Sequence, residues 1–464
     1  MARLTYTAMS KLKIAYFPVV WPVPTASAAS VRSVGFLRAL VAAGHQVSIL
    51  CSGQARLANT FVDSFGHTLG MPVAVQLNDP AASSAVQAAL AGPRALAIYD
   101  TFVKEEQWSH VVHTTCPDAG TVCDTQDLHA VRAWREQAAM EWADGVSGTA
   151  RPALVPPTAV AWPNLQDKRV ARELAAMQRC DVSWLCSTAE MEHAASCWGM
   201  PPASLYRAGF WFPPPADTAP EHAARDFNKT SGFVWIGNFR HAPNAQAVRT
   251  LCYRIWPALR ESLQAAGEES PQLHIYGAFA KGSDAQVGSL PGVRWHGAAA
   301  SVETVMQRHR VLIAPLQFGA GVKGKILDAW RAGRPAVTTS VGLEGIPIPA
   351  EVTNVPGMAA CDSDSEFIRT ATDLYCNHAA WQAARHAGAS VVAQHFNDTS
   401  GAAELVLHCE ELVESLSQRR AQNPVRAALW HASAEYTALK SRNVQLRRQL
   451  RASAGATLDS NARE

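Results

Sequence analysis

The pattern that most narrows the fold is a strand–helix–strand alternation that starts twice. The first start is KLKIAYFPVVWP (Lys11–Pro22), which reads as a buried opening strand ended by Pro22 and Pro24. SVRSVGFLRALVAAGHQVSIL follows. Val31, Val34, Leu37, Leu40 and Val41 recur at helical spacing, Gly44 suits the position just past a helix end, and Gln46–Leu50 reads as a second strand. Such a unit belongs to a parallel sheet with helices on its faces. The second start is GFVWIGNF (Gly232–Phe239).

Between the two starts, Leu96–Ile98, His110–His113, Gly120–Cys123 and Asp181–Thr188 read as strands, with a helix from about Ala189. After the second come helix Gln246–Ala266, strands Gln272–Tyr276 and Val293–His296, helix Val302–His309, strand Val311–Leu316, helix Lys323–Ala332 and strand Ala336–Thr339. Ser365–Tyr375, Ala379–Phe396 and Asp398–Leu416 read as terminal helices. FWFPPPADTAP marks a proline-rich linker between the halves. The length of 464 residues exceeds one ordinary core. The expected organisation is an N-terminal domain over 12–205, a linker over 206–230, a C-terminal domain over 231–395, a helix over 396–417 and a basic helical or coiled-coil tail over 418–464.

In that tail Leu429, Tyr436, Asn443 and Leu450 recur every seventh residue, with Ala432, Leu439 and Leu446 between them. Lys440, Arg442, Arg447, Arg448 and Arg451 make the remainder basic. Two readings stand: a solvated helix, or a short coiled coil that makes a homodimer or docks the chain.

A formal charge of +2 with 17% charged residues excludes a general attraction to nucleic acid and leaves room for a local anion site. The 10 cysteines include no C-x-x-C pair, and His113 with Cys116 lacks a second ligand pair, so reduced thiols and no metal are expected. The first twelve residues lack a signal-peptide core, and no apolar run of about 18 residues occurs. The expectation is a soluble cytoplasmic chain, at most peripheral to the inner membrane face.

Gly319–Lys325 reads G-A-G-V-K-G-K and fits two phosphate-binding patterns at once. As a P-loop it lacks the Ser or Thr that holds Mg²⁺, since Ile326 follows Lys325. As a dinucleotide turn it lacks the acidic residue at the end of the next strand, where Thr339 and Ser340 stand. The shared physics survives. Glycines let backbone approach a ligand, a helix starting near Lys323 offers unpaired N–H groups, and Lys323 and Lys325 add charge. Asp328 lies one turn on; a carboxylate there suits a ribose or sugar diol rather than a phosphate. In the first half, VCDTQDLHAVRAWR (Val122–Arg135) places Asp124, Gln126, Asp127, His129 and Arg132 past a strand's carboxyl end, where open α/β sheets hold ligands.

APLQFGAGVKGKILDAWRAGRPAVTTSVGLEGI (Ala314–Ile346) resembles the donor-binding segment of the GT-B glycosyltransferases of family 4, or group 1. WIGNFRHAPNAQAV (Trp235–Val248) resembles that family's first C-domain strand and loop, and the opening β-α-β its first N-domain elements. The likeness spans roughly 12–415 and is diffuse between about 50 and 110. It implies an α/β fold of two Rossmann-like domains facing a cleft, with C-terminal helices crossing back and a helical tail.

It further implies a retaining, metal-independent transfer from a nucleotide-diphosphate sugar to a hydroxyl of a glycan or lipid-linked acceptor, with no cofactor. The donor site would comprise Gly237, Asn238, Arg240, Gly319, Gly321, Lys323, Gly324, Lys325, Asp328, Gly342 and Glu344. Asp127, His129 and Gln126 would be catalytic, with Asp127 and His129 lining the sugar or acceptor site; Ser27, Ser30 and Arg32 of the opening loop would approach the acceptor or a phosphate, with Arg32 pointing into the cleft. The chain departs from the family pattern in three places, one of them the opening loop PVPTASAAS, which lacks the usual glycine pair. Ala320 stands near the first of a usual acidic pair, and Gln126 replaces the His of a frequent D-x-H-D segment. These leave open a sugar-nucleotide epimerase or a silent nucleotide-sugar-binding scaffold.

Overall fold

The computed structural model describes residues 11–22, 28–51, 73–76, 82–145, 154–156, 160–212, 227–280, 282–396 and 398–433. The first sheet contains β1 (Lys13–Phe17), β2 (Gln46–Cys51), β3 (Val73–Gln76), β4 (Ala95–Asp100), β5 (Gly120–Asp124), β6 (Val182–Leu185) and β7 (Leu205–Arg207). All pairings are parallel, in the order β3-β2-β1-β4-β5-β6-β7. Its helices are α1 (Ala28–Ala42), α2 (Ala82–Leu90), α3 (Thr101–Thr115), α4 (His129–Gly145), α5 (Lys168–Arg179) and α6 (Thr188–Ser196).

The second sheet contains β8 (Phe233–Asn238), β9 (Leu273–Ala278), β10 (Val293–Gly297), β11 (Val311–Ala314) and β12 (Ala336–Thr338). It too is parallel, in the order β10-β9-β8-β11-β12. It carries α7 (Ala242–Thr250), α8 (Trp256–Ala265), α9 (Val302–Arg308), α10 (Gly324–Arg331), α11 (Ser340–Leu343), α12 (Asp364–Cys376) and α13 (His378–His395). Strand order reverses beside β1 in the first sheet and beside β8 in the second, the points at which such sheets open a crevice at their carboxyl ends.

Apolar strands make these elements. β4 is buried along its whole length and β11 likewise, as a sheet covered on both faces requires. Trp184 and Trp235 anchor the two cores at 0% exposure. β11 stops at Ala314 because Pro315 has no N–H for the ladder.

Two expectations need correction. His110–His113 is helical, inside α3, not a strand. The buried side of α3 includes Lys104, Glu105 and Ser109, so its apolar residues alone show no helical period. The long helix expected from Gln246 is broken by a π turn over Leu251–Ile255, just ahead of Pro257, whose missing N–H and ring disturb a regular α-helix.

α14 (Asp398–Glu414) crosses back to the first sheet, where Leu405, Cys409 and Leu412 pack with Val34, Leu37 and Leu40 of α1. α15 (Leu416–Ala421) and α16 (424–433) continue along that domain. Buried Asp181 receives Arg420 at 2.8 Å and Arg426 at 3.0 Å. Trp430 stacks on His113 at 4.1 Å and donates its Nε1–H to the Arg179 carbonyl. Of the heptad positions, Ala432 is exposed and Leu429 half-buried; Tyr436 and those after it, with Ser27 and the linker over 213–226, lie outside the described residues. Among the described residues no helix is long and apolar enough to cross a membrane.

Candidate active site in the cleft between the sheets

The glycine-lysine loop leaves β11 and runs against the N-terminal domain. Gly321 has φ +67, and a Cβ there would come within 2.7 Å of the Asp127 Cβ, so conformation and space both require glycine. A Cβ on Gly324 would come within 2.6 Å of the Ala28 Cβ. The first residues of α1 and α10 therefore touch across the cleft, and two positive helix ends meet beside the lysines.

Lys323 donates to the Gly321 carbonyl at 2.6 Å and stands 3.6 Å from a Glu344 oxygen. Lys325 has no carboxylate within ion-pair distance among the described residues. Its ammonium donates to Asn244 Oδ1 at 2.8 Å and lies 4.3 Å over the Trp235 ring. Burial, and then the Lys323 charge, push its pKa down to about 7. Gly237 leaves room for this arrangement, because a Cβ would meet Trp235 at 2.6 Å and Asn244 at 3.0 Å. Asn244 is fixed in turn by donating to the Asn238 carbonyl at 2.8 Å. Burial pushes Asp328 up to about 6, partly offset by Arg331 at 3.9 Å.

On the opposite wall, Asp127 binds Arg132 and lies 3.3 Å from His129 Nε2. His129 opens α4, whose first N–H groups are capped by Glu173 of α5 at 3.0 and 2.8 Å. Burial holds His129 down to about 4, so its imidazole is neutral at pH 7. Burial, and then the Arg132 and Lys325 charges against that of Asp127, hold His241, which precedes α7, below the ordinary histidine pKa.

Arg135 ties the walls together. Its Nη1 donates at 2.8 Å both to the Gly319 carbonyl and to Glu344, while Nε donates to Ala161 and the guanidinium lies 4.8 Å over Trp162. Gly342, opposite, has no space for a side chain: a Cβ would stand 1.8 Å from Thr338 Oγ1.

Several expected positions differ. Arg32 does not point into the cleft. It is 1% exposed, forms a 2.7 Å ion pair with Asp124 and donates to the Ala208 carbonyl. A guanidinium on the inward side of α1 finds a buried carboxylate before it finds solvent. Gln126 stands at the strand end with φ +61, but its amide is engaged with Arg32, Ser33 and Asp124 rather than with Asp127 and His129. Ser30 is buried in the first turn of α1. Arg240 is exposed and stacks 3.8 Å over Phe279 at the rim.

Arg135, Asn244 and His241 escaped the sequence reading. Asn244 and His241 lie inside the stretch read as loop, and nothing local separates an Arg135 that reaches another domain from a surface arginine. Among the described residues no three His, Cys, Asp or Glu side chains converge as a metal site.

Residues 230–377 match the family model described as Glycosyl transferases group 1. No curated protein sequence matches the chain. Among solved structures, HepE of Anabaena in complex with UDP and glucose aligns with a TM-score of 0.60 at 10% identity, covering 86% of this chain and 99% of that one. Sucrose-phosphate synthase of Thermosynechococcus elongatus aligns at 0.58 and 12%, covering 87% and 100%. A glycosyltransferase of Rickettsia africae ESF-5 aligns at 0.57 and 10%, covering 87% and 99%. Two parallel Rossmann-like sheets and a crossing-back helix give the chain the GT-B fold, and residues 230–377 match the group 1 glycosyl transferase domain.

Proposed function

We propose that the cleft transfers a sugar from a nucleotide-diphosphate sugar to an acceptor hydroxyl. The observation that carries this reading is Lys325, a buried ammonium without a carboxylate partner among the described residues, beside Lys323 and two meeting helix ends. A buried cation that lacks a counter-ion is costly unless an anion comes to it. A diphosphate fits, and the UDP bound to HepE makes uridine nucleotides the first to test. Asp328, one helical turn on, would accept from the ribose hydroxyls.

In this reading the bond from the anomeric carbon to the β-phosphate oxygen breaks and its electron pair leaves with the diphosphate. The acceptor oxygen forms the new bond at that carbon. The lysines and helix ends neutralise the developing charge, the role a metal takes elsewhere. We read the transfer as retaining: the acceptor approaches on the leaving-group face, and its proton passes to the departing phosphate oxygen. Asp127, already engaged by Arg132 and His129, suits a hydrogen bond to the sugar rather than proton abstraction. Neutral His129 offers a second such contact. Gln126 and Arg32 support the Asp127 loop from behind. The acceptor would be a glycan or a lipid-linked glycan.

The test is nucleoside diphosphate release from a panel of sugar nucleotides, with chelator present, and with and without glycan acceptors. Release coupled to a glycosylated product whose anomeric configuration matches the donor supports the reading. Binding without transfer across the panel, or epimerised donor as the product, contradicts it.

A further inference from the structure

Beside the Asp127 group, on the N-terminal side of the cleft, lies an open cavity of about 540 Å³ that the donor reading does not use. We infer that this cavity is the acceptor subsite and that it takes an anionic acceptor, one bearing a phosphate or a carboxylate on the sugar that receives the transfer. The inference rests on the donor reading above and deepens it.

The lining carries four cations, Arg132, Lys168, Arg169 and Arg172, against one carboxylate, Glu136. Three of the cations are arginines held from behind by carboxylates that do not line the cavity. Arg172 donates Nε to Glu106 at 2.7 Å and Nη2 at 2.6 Å, Arg169 donates Nε to Asp167 at 2.9 Å, and Arg132 donates Nη1 to Asp127. A guanidinium has five N–H donors in a fixed fork, so each retains N–H groups for an oxyanion while its partner fixes its direction. Lys168, exposed at the start of α5, has no ion-pair partner among the described residues. With the carboxylates behind the arginines counted, the long-range charge nearly cancels. The site therefore recognises an oxyanion at close range by oriented forks rather than by a broad positive field.

The cavity also carries the means to hold a sugar ring. Arg172 lies 5.0 Å over Phe102, and Phe102 meets His129 edge-to-face at 5.6 Å. His129 and Arg132 belong to both the cavity and the Asp127 group, and Asp127 packs against Gly321 of the donor loop. An acceptor seated by its anion on Arg169 and Arg172 would thus present its hydroxyl towards the glycine-lysine loop.

The test uses the full chain saturated with UDP, which blocks the donor site. Calorimetry then compares methyl glucoside, glucose 6-phosphate and glucuronate. We expect at least one charged sugar to bind ten-fold or more tighter than the neutral one. The preference should vanish in Arg169→Ala/Arg172→Ala and weaken several-fold in the exposed Lys168→Glu, while UDP affinity stays unchanged in both. Equal binding of charged and neutral sugars overturns the inference, as does a charge preference that survives in the double variant. Failure of the unaltered chain to bind UDP would instead remove the donor reading on which this one stands.

Discussion

Arg135 and Glu344 are 209 positions apart in the chain and 2.8 Å apart in space. The same Arg135 nitrogen reaches the Gly319 carbonyl, and the same Glu344 oxygen lies 3.6 Å from Lys323. One arginine of the N-terminal domain thereby fixes the entry to the glycine-lysine loop. A donor phosphate arriving at Lys323 would compete with Glu344 for that lysine.

Arg135→Ala should leave half-buried Glu344 beside a single cation, Lys323. Breaking a buried pair costs about 3–5 kcal/mol. We expect a lower unfolding midpoint together with a kcat/KM for transfer reduced about 100-fold, the equivalent of roughly 2.7 kcal/mol. A double-mutant cycle with Glu344→Gln should show coupling; additive losses would mean that the two residues act separately.

Lys325→Met should stabilise the ligand-free protein while weakening nucleotide binding at least 100-fold. Burial holds the folded-state pKa of Lys325 at about 7, below the value of a free lysine. The unfolded chain therefore binds more protons between pH 7 and the free-lysine range, and stability rises with pH across that window. Removing the ammonium relieves about 4 kcal/mol at pH 7, which denaturant titration would detect. A destabilised variant would contradict the account.

How much of this was legible beforehand differs by feature. The two starts at Lys11 and Gly232 carried the parallel sheets, because an apolar strand followed by a 3.6-period helix has few other ways to bury itself. The loop Gly319–Lys325 was legible as a glycine turn with two lysines at a helix start, since the glycines and the charges sit in consecutive residues. Arg32 was misread because spacing shows that a residue lies on a helix but not that Asp124 waits on the inward side. Arg135 was invisible for a related reason: its partners Gly319 and Glu344 belong to the other domain, and no local pattern records that juxtaposition. His110–His113 looked like a strand because α3 buries Lys104 and Glu105 where apolar residues would have shown the helical period.

Asp328 should distinguish ribose from deoxyribose. A charge-assisted hydrogen bond is worth about 1.5–3 kcal/mol. The protein should therefore prefer UDP over 2′-deoxy-UDP by about ten-fold or more, and Asp328→Ala should bind both alike. Because burial raises Asp328 to about 6, the folded state holds its proton up to higher pH than the unfolded chain, and this contribution to stability is lost as pH rises through about 6. A retained preference in Asp328→Ala would remove the ribose assignment.

Arg32→Met should act on the fold and not on the ligand. The variant leaves Asp124 without its buried partner and should lose about 3–5 kcal/mol of stability in denaturant. At a temperature where it remains folded, its UDP affinity should match that of the unaltered chain. A selective loss of affinity with stability intact would restore Arg32 to the phosphate site.

The most direct test is the affinity of the full chain for UDP, measured by calorimetry from pH 6.5 to 8.5. A diphosphate bound by protonated Lys325 must lose affinity as that lysine releases its proton. The dissociation constant should rise towards ten-fold per pH unit above about 7. Lys325→Met should bind at least 100-fold more weakly and without this slope. A dissociation constant that stays flat across the range, or a Lys325→Met that binds as tightly as the unaltered chain, would contradict a nucleotide-diphosphate site at the glycine-lysine loop.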